Sequence, residues 1–241
     1  MLDVEITPGI RRLGGGLVNC YLLEESGGVT IVDAGAPGYW GMLPGELAAM
    51  GRSLDDVRAV VLTHAHRDHI GFAETIRRER GVPIRLHADD AALARTLAMP
   101  KWQGSVRPAA ALRFLAFALR YGMLRTPPIL EVGTFADGEV LDVPGRPRVI
   151  HVPGHSEGSA ALHVPARGAI FVGDAFVTLD ALSGATGPLI SPYTADRERA
   201  SASLARLDGV EAQLVLPGHG QPWTSGLSEA LRLVRARSSR A

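Results

Sequence analysis

Cysteine is nearly absent from this chain: Cys20 stands alone among 241 residues. An internal disulfide framework and a cysteine-rich zinc knuckle are therefore excluded. Neither sign of charge is in surplus, since 25 lysines and arginines balance 25 aspartates and glutamates. A net charge of zero leaves no electrostatic footprint for nucleic acid. Long apolar runs are missing too, and no uncharged stretch approaches the length of a membrane span. The first five residues, Met1–Glu5, carry neither the basic nor the apolar segment of a secretory signal. These absences lead to the expectation of a cytoplasmic protein whose partner is a small molecule. What is present is 46% hydrophobic and 21% charged, the balance of a soluble globular enzyme without long disorder. The length suits one large domain, and residues 1–241 are read as a single unit.

The densest chemistry lies at Val60-Val61-Leu62-Thr63-His64-Ala65-His66-Arg67-Asp68-His69, where an apolar run ends in three histidines and an aspartate. With eight histidines in the chain, random placement produces His-x-His-x-Asp-His on the order of once per thousand such chains. His64, His66 and Asp68 are two apart. At the exit of an extended strand such side chains project to one side, and His69 faces a second centre once the chain turns. Imidazole and carboxylate are the usual ligands of a borderline divalent metal such as zinc.

Around this stretch the chain alternates strand and helix signals. Val18–Leu23 and Val29–Asp33 read as strands joined by a Gly27-Gly28 hairpin turn. Asp33 then suits a supporting role, a carboxylate hydrogen-bonded to a ligating histidine. Helical character follows at 39–50. Arg58–Leu62 is the strand that leads into the cluster, and Phe72–Arg80 is a helix stopped by Gly81-Val82-Pro83. Ile84–His87 is a short strand, with His87 structural, and Asp89 and Asp90 stand where they could cap a helix over Ala91–Ala98. Later strands are read at Arg148–Val152, Ala160–Val164, Ala169–Asp174 and Gln213–Leu216, and helices at Asp196–Leu207 and Ser225–Arg237.

Residues 99–130 differ from the rest. Ala109–Leu124 is apolar apart from Arg113, Arg120 and Gly122, and Pro127-Pro128 closes it. Arg113 and Arg120 share one helical face, while Leu112, Phe114, Leu115, Phe117, Leu119 and Tyr121 cover much of the remainder. An ordinary packed helix and a helical lid over an apolar substrate both fit this pattern, and an exposed apolar face would also serve a homodimer.

Three later sites repeat the grammar of the first: an apolar strand, a glycine-bearing turn, then one ligand-type residue. They are Ile150–Val152 to His155, Ile170–Val172 to Asp174, and Leu214–Leu216 to His219. Ligands just past strand ends can converge at one edge of a sheet system. Together the four sites supply five histidines and two aspartates, enough for two adjacent metals.

In the order and spacing of these residues, from Val29–Gly35 through His64–His69, His155 and Asp174 to Pro217–Gly220, the chain resembles the metallo-β-lactamase-fold superfamily of metallohydrolases. The resemblance implies an α/β fold, a four-layer αβ/βα sandwich of two mixed β-sheets flanked by helices, with the site at one edge. It implies that His64, His66 and His155 hold one metal, that Asp68, His69 and His219 hold the other, and that Asp174 bridges them. The implied cofactor is two divalent ions, zinc first, with iron and manganese open to the same ligands. A water shared by the two cations would have its pKa lowered to roughly 7 and attack as hydroxide. Asp68 would orient it and relay its proton to the leaving group, with Asp33 and Thr63 in support.

Fold alone does not fix the substrate. Antibiotic-hydrolysing members are the poorest match, RNA-processing members call for a basic stripe, and oxygen-reducing members typically place an acidic residue where His66 stands. Thioester hydrolases resembling glyoxalase II, and lactonases, share the histidine and aspartate set best. The acyl-homoserine lactonases usually carry a tyrosine three residues after the bridging aspartate; here that residue is Val177, and Tyr193 could substitute only if its loop comes close. The expectation is a dinuclear hydrolase of a small thioester, ester or lactone, its apolar portion held near Phe114, Phe117, Tyr121 and Tyr193. Two alternatives are a mononuclear-iron sulfur dioxygenase using His64, His66, His155 and Asp174, and a non-enzymatic metal-binding accessory protein.

Overall fold

The structure, a computed structural model, describes residues 4–101 and 104–238. Met1–Asp3, within the amino end read above for a signal, and Trp102–Gln103, within the 99–130 segment, lie outside the described residues, as does the tail from Ser239.

The first half contains β1 (Val4–Thr7), β2 (Ile10–Leu13), β3 (Cys20–Glu25), β4 (Gly28–Val32), α1 (Leu43–Ala49), β5 (Val57–Val61), α2 (Ala73–Arg80), β6 (Ile84–His87), α3 (Ala91–Thr96), α4 (Pro108–Arg120) and β7 (Gly133–Phe135). The second contains β8 (Arg148–His151), β9 (Ala160–Val164), β10 (Ala169–Gly173), β11 (Val177–Leu179), β12 (Thr186–Leu189), α5 (Arg197–Ser203), β13 (Leu214–Pro217) and α6 (Leu227–Ser238). One sheet runs β1-β2-β3-β4-β5-β6-β7 and the other β13-β10-β9-β8, with β11 and β12 as a separate ribbon. Tight turns make β1 to β4 antiparallel, whereas connections through helices or longer segments make β4 to β7 parallel. In the smaller sheet β8, β9 and β10 are antiparallel, and β13 joins β10 in parallel.

The period-two alternation of strand side chains separates three apolar layers. Tyr21 and Leu23 of β3 face inward with Val149, Leu162, Phe171 and Leu216 of the other sheet. Cys20 and Leu22, one position out of phase, face outward and are covered by Leu43 and Leu47 of α1 and Ile76 of α2. On the far side Ile170, Val172 and Val215 pack under Leu204 and under Leu227, Leu231 and Val234 of α6. Each fully buried side chain of this size contributes about 1.5–3 kcal/mol. The architecture is the expected αβ/βα sandwich of two mixed sheets.

Several details depart from the sequence reading. The ribbon of β11 and β12 was not among the expected strands; Gly187 and Pro188 interrupt any strand pattern there. The helix expected over Ala91–Ala98 stops at Thr96, where Leu97 turns left-handed at φ 55°, and Asp90 does not cap it with its side chain. The apolar segment forms α4, but only Phe117 and Ala118 of it are buried. Leu112, Leu115 and Leu119 are exposed, so the helix rests one edge on the core and leaves its other apolar face bare.

Candidate metal centre

The cluster that follows β5 is delivered by a chain that stops being a strand at Val61 and turns sharply. The backbone N–H groups of His69 and Ile70 both return to the carbonyl of His66, a turn that brings the His69 ring back against His64 at 4.0 Å. Asp33, just past β4, anchors the turn. It adopts a left-handed φ of 61°, which aspartate tolerates better than most residues. Its carboxylate accepts the Thr63 backbone N–H at 2.7 Å, the Thr63 hydroxyl at 2.9 Å and the His69 Nδ1–H at 2.9 Å. Asp33 and Thr63 therefore stand behind the histidines, in contact with them.

The loop after β8 brings in His155, the one after β10 brings Asp174, and the one after β13 brings His219. Their donor atoms form three overlapping groups, each within 4.8 Å: His64, His66 and His155; His64, His69 and Asp174; Asp68, His69 and His219. Asp174 lies between the two histidine sets. One of its oxygens is 3.6 Å from His155 Nε2 and 3.2 Å from His219 Nε2, and the other is 3.6 Å from His69 Nε2. His219 Nε2 is also 3.3 Å from an Asp68 oxygen. Gly218 lets this crowding happen: a Cβ there would sit 2.4 Å from both Asp174 Oδ1 and the His69 ring.

Outer partners fix which nitrogen of four of the rings faces the centre. His69 Nδ1–H donates to Asp33, and His219 Nδ1–H donates to the carbonyl of Leu17, neither of which can donate back. Thr63 has given its hydroxyl proton to Asp33, so it accepts from His64 Nδ1–H at 3.1 Å. Thr194 has likewise given its proton to the Ser191 carbonyl, so it accepts from His155 Nδ1–H at 3.3 Å. Four imidazoles thus commit Nδ1 outward and turn Nε2 toward the centre. Ser191 adds a hydroxyl that donates to Asp174 Oδ2 at 3.1 Å. Ser191 and Thr194 were not foreseen, and no spacing in Ser191-Pro192-Tyr193-Thr194 signals them.

This donor set fits divalent cations. His69 Nε2 and Asp174 Oδ1 are buried without a hydrogen-bond partner, a state that costs about 1–3 kcal/mol for each group unless a ligand completes it. Burial, helped by the neighbouring histidines, holds the pKa of His64 and His155 well below the ordinary 6.5, which keeps them neutral and able to ligate. Burial alone would raise Asp174, yet the charges of His219 and His69 outweigh it and hold the carboxyl well below its usual range. Asp68 is shifted in the same direction, burial being overcome chiefly by its contact with His219.

A further group, His87, Asp89 and His151, has its donors within the same reach but is arranged differently. The two rings stack at 4.0 Å and 12°, so their in-plane lone pairs run in separate planes. His151 Nε2–H is already given to the Glu157 carbonyl at 2.8 Å.

The expected pocket residues divide. Phe114 and Tyr193 line a cleft beside the centre together with Asp68, His219, Leu179, Leu182 and Pro192. Phe117 and Tyr121 do not: they pack edge-on against Tyr39, at 6.2 Å and 5.2 Å. Phe114 and Phe117 are three apart, and α4 turns the second into the core. Burial, then the Asp68 charge, raises the Tyr193 phenol.

Comparison with known proteins decides the lineage: the family model described as metallo-beta-lactamase superfamily matches residues 13–219. The chain belongs to the metallo-beta-lactamase superfamily. It is 27% identical to the probable metallo-hydrolase YflN of Bacillus subtilis (strain 168), over 91% of this chain and 87% of that one. The crystal structure of TTHA1429, a metallo-beta-lactamase family protein of Thermus thermophilus, superposes with a TM-score of 0.68 at 27% identity, covering 98% of this chain and 81% of the other. The crystal structure of TTHA1623, obtained in a di-iron-bound form, gives 0.60 at 27% identity over 93% and 95% of the two chains. Among the described residues no helix is long and apolar enough to cross a membrane.

Proposed function

We propose that residues 1–241 act as one dinuclear metallohydrolase domain that cleaves a small thioester, ester or lactone. One observation carries this reading: Asp174 has one oxygen against His155 and His219 and the other against His69, between two sets of histidines. His64, His66 and His155 would hold one cation, Asp68, His69 and His219 the second, and Asp174 both. When bound, the two cations polarise a carbonyl and acidify water toward neutrality.

The remaining steps belong to the chain. Asp68 is ionised at neutral pH and lies at the boundary between His219 and the cleft, where a carboxylate can take a proton and pass it to a leaving group. Phe114, Leu179, Leu182 and Pro192 give this narrow cleft an apolar wall. Tyr193 lines this cleft from a position that the sequence pattern of lactonases does not use. Iron is as well supported as zinc by the relative in di-iron form, since histidine and aspartate accept either.

Elemental analysis of the purified protein, followed by a screen of thioesters, esters and lactones, tests the proposal. Two metals per chain and a turnover that collapses in Asp68→Ala are expected. One metal per chain, or turnover unaltered by that substitution, overturns it. Iron with oxygen uptake on a persulfide would point instead to dioxygenase chemistry.

A further inference from the structure

The loops that carry His64, His66 and His155 come from different sheets, β5 in one and the β8–β9 connection in the other. Backbone contact between them begins at Ala160 N–H, which donates to the Thr63 carbonyl at 2.9 Å. Nearer the histidines themselves the side chain of Asp90 spans the gap. Asp90 is 1% exposed and stands just before α3, where a carboxylate would ordinarily cap the helix, yet it makes no cap. Its Oδ2 accepts the backbone N–H of Ala65, the residue between His64 and His66, at 2.9 Å, and the Ser156 hydroxyl at 2.7 Å. Its Oδ1 accepts the backbone N–H of Gly158 at 2.7 Å. Ala65 lies between two of the histidines, and Ser156 directly follows the third.

We infer that Asp90 is a positioning residue that sets the three-histidine half of the metal centre by tying the His64–His66 loop to the His155 loop; this rests on the dinuclear reading above. The chemistry selects a carboxylate. Three donors converge on it, and only an acceptor at both oxygens satisfies all of them. An amide would turn an NH2 group toward at least one N–H or hydroxyl donor and break the tie there. The opposite wall is equally specific. A Cβ on Gly158 would meet Asp90 N at 2.6 Å, Cβ at 2.7 Å and Cγ at 2.8 Å, so any side chain at 158 displaces the carboxylate. The Asp90 carboxylate bonds beside His64, His66 and His155 and not to Asp68, His69 or His219, so its direct contacts lie on one half of the site.

Titration of the metal-free protein with cobalt(II), followed by visible absorption and calorimetry, reads the two halves separately. Wild type is expected to show two binding steps, and His66→Ala identifies the one that belongs to the three-histidine set by abolishing it. Asp90→Asn should weaken that step roughly ten- to a hundredfold, the usual effect of removing an outer partner, and leave the other step unchanged. Gly158→Ala, which keeps the carboxylate but moves it, should weaken the same step and serves if Asp90→Asn does not fold. Wild-type affinity at both steps in both variants overturns the positioning role while the dinuclear reading stands. Equal weakening of both steps, with a lower melting temperature of the metal-free protein, also overturns it, because Asp90 would then serve the fold in general. A wild type that binds no cobalt overturns the dinuclear reading itself, and the inference with it.

Discussion

His64 and His155 are 91 positions apart in the chain, and their Nε2 atoms face each other at 3.1 Å. Each ring has its Nδ1–H committed to a threonine, Thr63 for one and Thr194 for the other. Two lone pairs pointed at one another in a buried site are unfavourable unless a cation joins them, and burial keeps both rings from protonating. Replacing one partner should therefore cost the protein a metal. His155→Ala is expected to lower the metal content from two per chain to one, with turnover reduced by roughly 10² or more. Elemental analysis beside single-turnover kinetics measures both. Full metal retention would contradict the assignment.

The two halves of the centre should respond differently to acid. His64, His66 and His155 are held below 6.5, chiefly by burial, so a cation entering there displaces no proton above that pH. For His69 and His219 burial also pulls downward, but Asp174 and the neighbouring carboxylates outweigh it, and both are held above 6.5. A cation entering their set must displace protons from imidazoles that are still charged above 6.5. Its affinity consequently falls more steeply as pH drops through that window. Dialysis at about pH 8 and about pH 6 against the same free metal should take the protein from two ions toward one. Equal loss from both sets would contradict the shifts.

Phe114 and Phe117 provide a paired test of α4. Phe117→Ala removes a buried ring from the contact with Tyr39 and should lower stability by about 3–5 kcal/mol, visible in denaturant unfolding. Phe114→Ala opens the wall beside Asp68 and should raise KM for substrates with apolar acyl groups, with a much smaller change in stability. The reverse pattern would move the cleft to the other side of the helix.

Cys20 is fully buried in β3, and burial, then the charge of Asp33, raises its thiol well above 9.0. The folded protein should not react with a thiol reagent at about pH 8, where an exposed thiol is partly ionised, and unfolding should release one reactive thiol. The sign also sets an alkaline effect. Above 9.0 the unfolded chain gains free energy by ionising while the folded chain does not, so this group lowers stability as pH rises. Removing it in Cys20→Ala should flatten the loss of melting temperature in alkali.

Much of the fold was legible because strands announce themselves locally. Tyr21 and Leu23 alternate with Cys20 and Leu22, and covalent geometry alone sends them to opposite faces. The β11–β12 ribbon was not legible, since Gly187 and Pro188 carry no alternation and the pairing is made by the partner strand. Nor was the behaviour of Asp90. Beside a helix start its sequence context favours a cap, and only the arrival of Ala65, Ser156 and Gly158 from other parts of the chain turns it inward.

The sequence by itself determined the kind of chemistry: imidazoles and carboxylates at strand exits, with His64 and His66 on one side and the turn to His69 close behind. Those relations span a few residues and follow from bond lengths and the period of a strand. Tertiary structure decided which nitrogen of four rings faces the centre, that Asp174 lies between two sets, that Phe114 faces the cleft while Phe117 faces the core, and that Asp90 joins two loops. Each of these depends on groups brought together by the burial of apolar layers between and around two sheets. Burial of that kind sets distances between residues that the chain separates by dozens of positions.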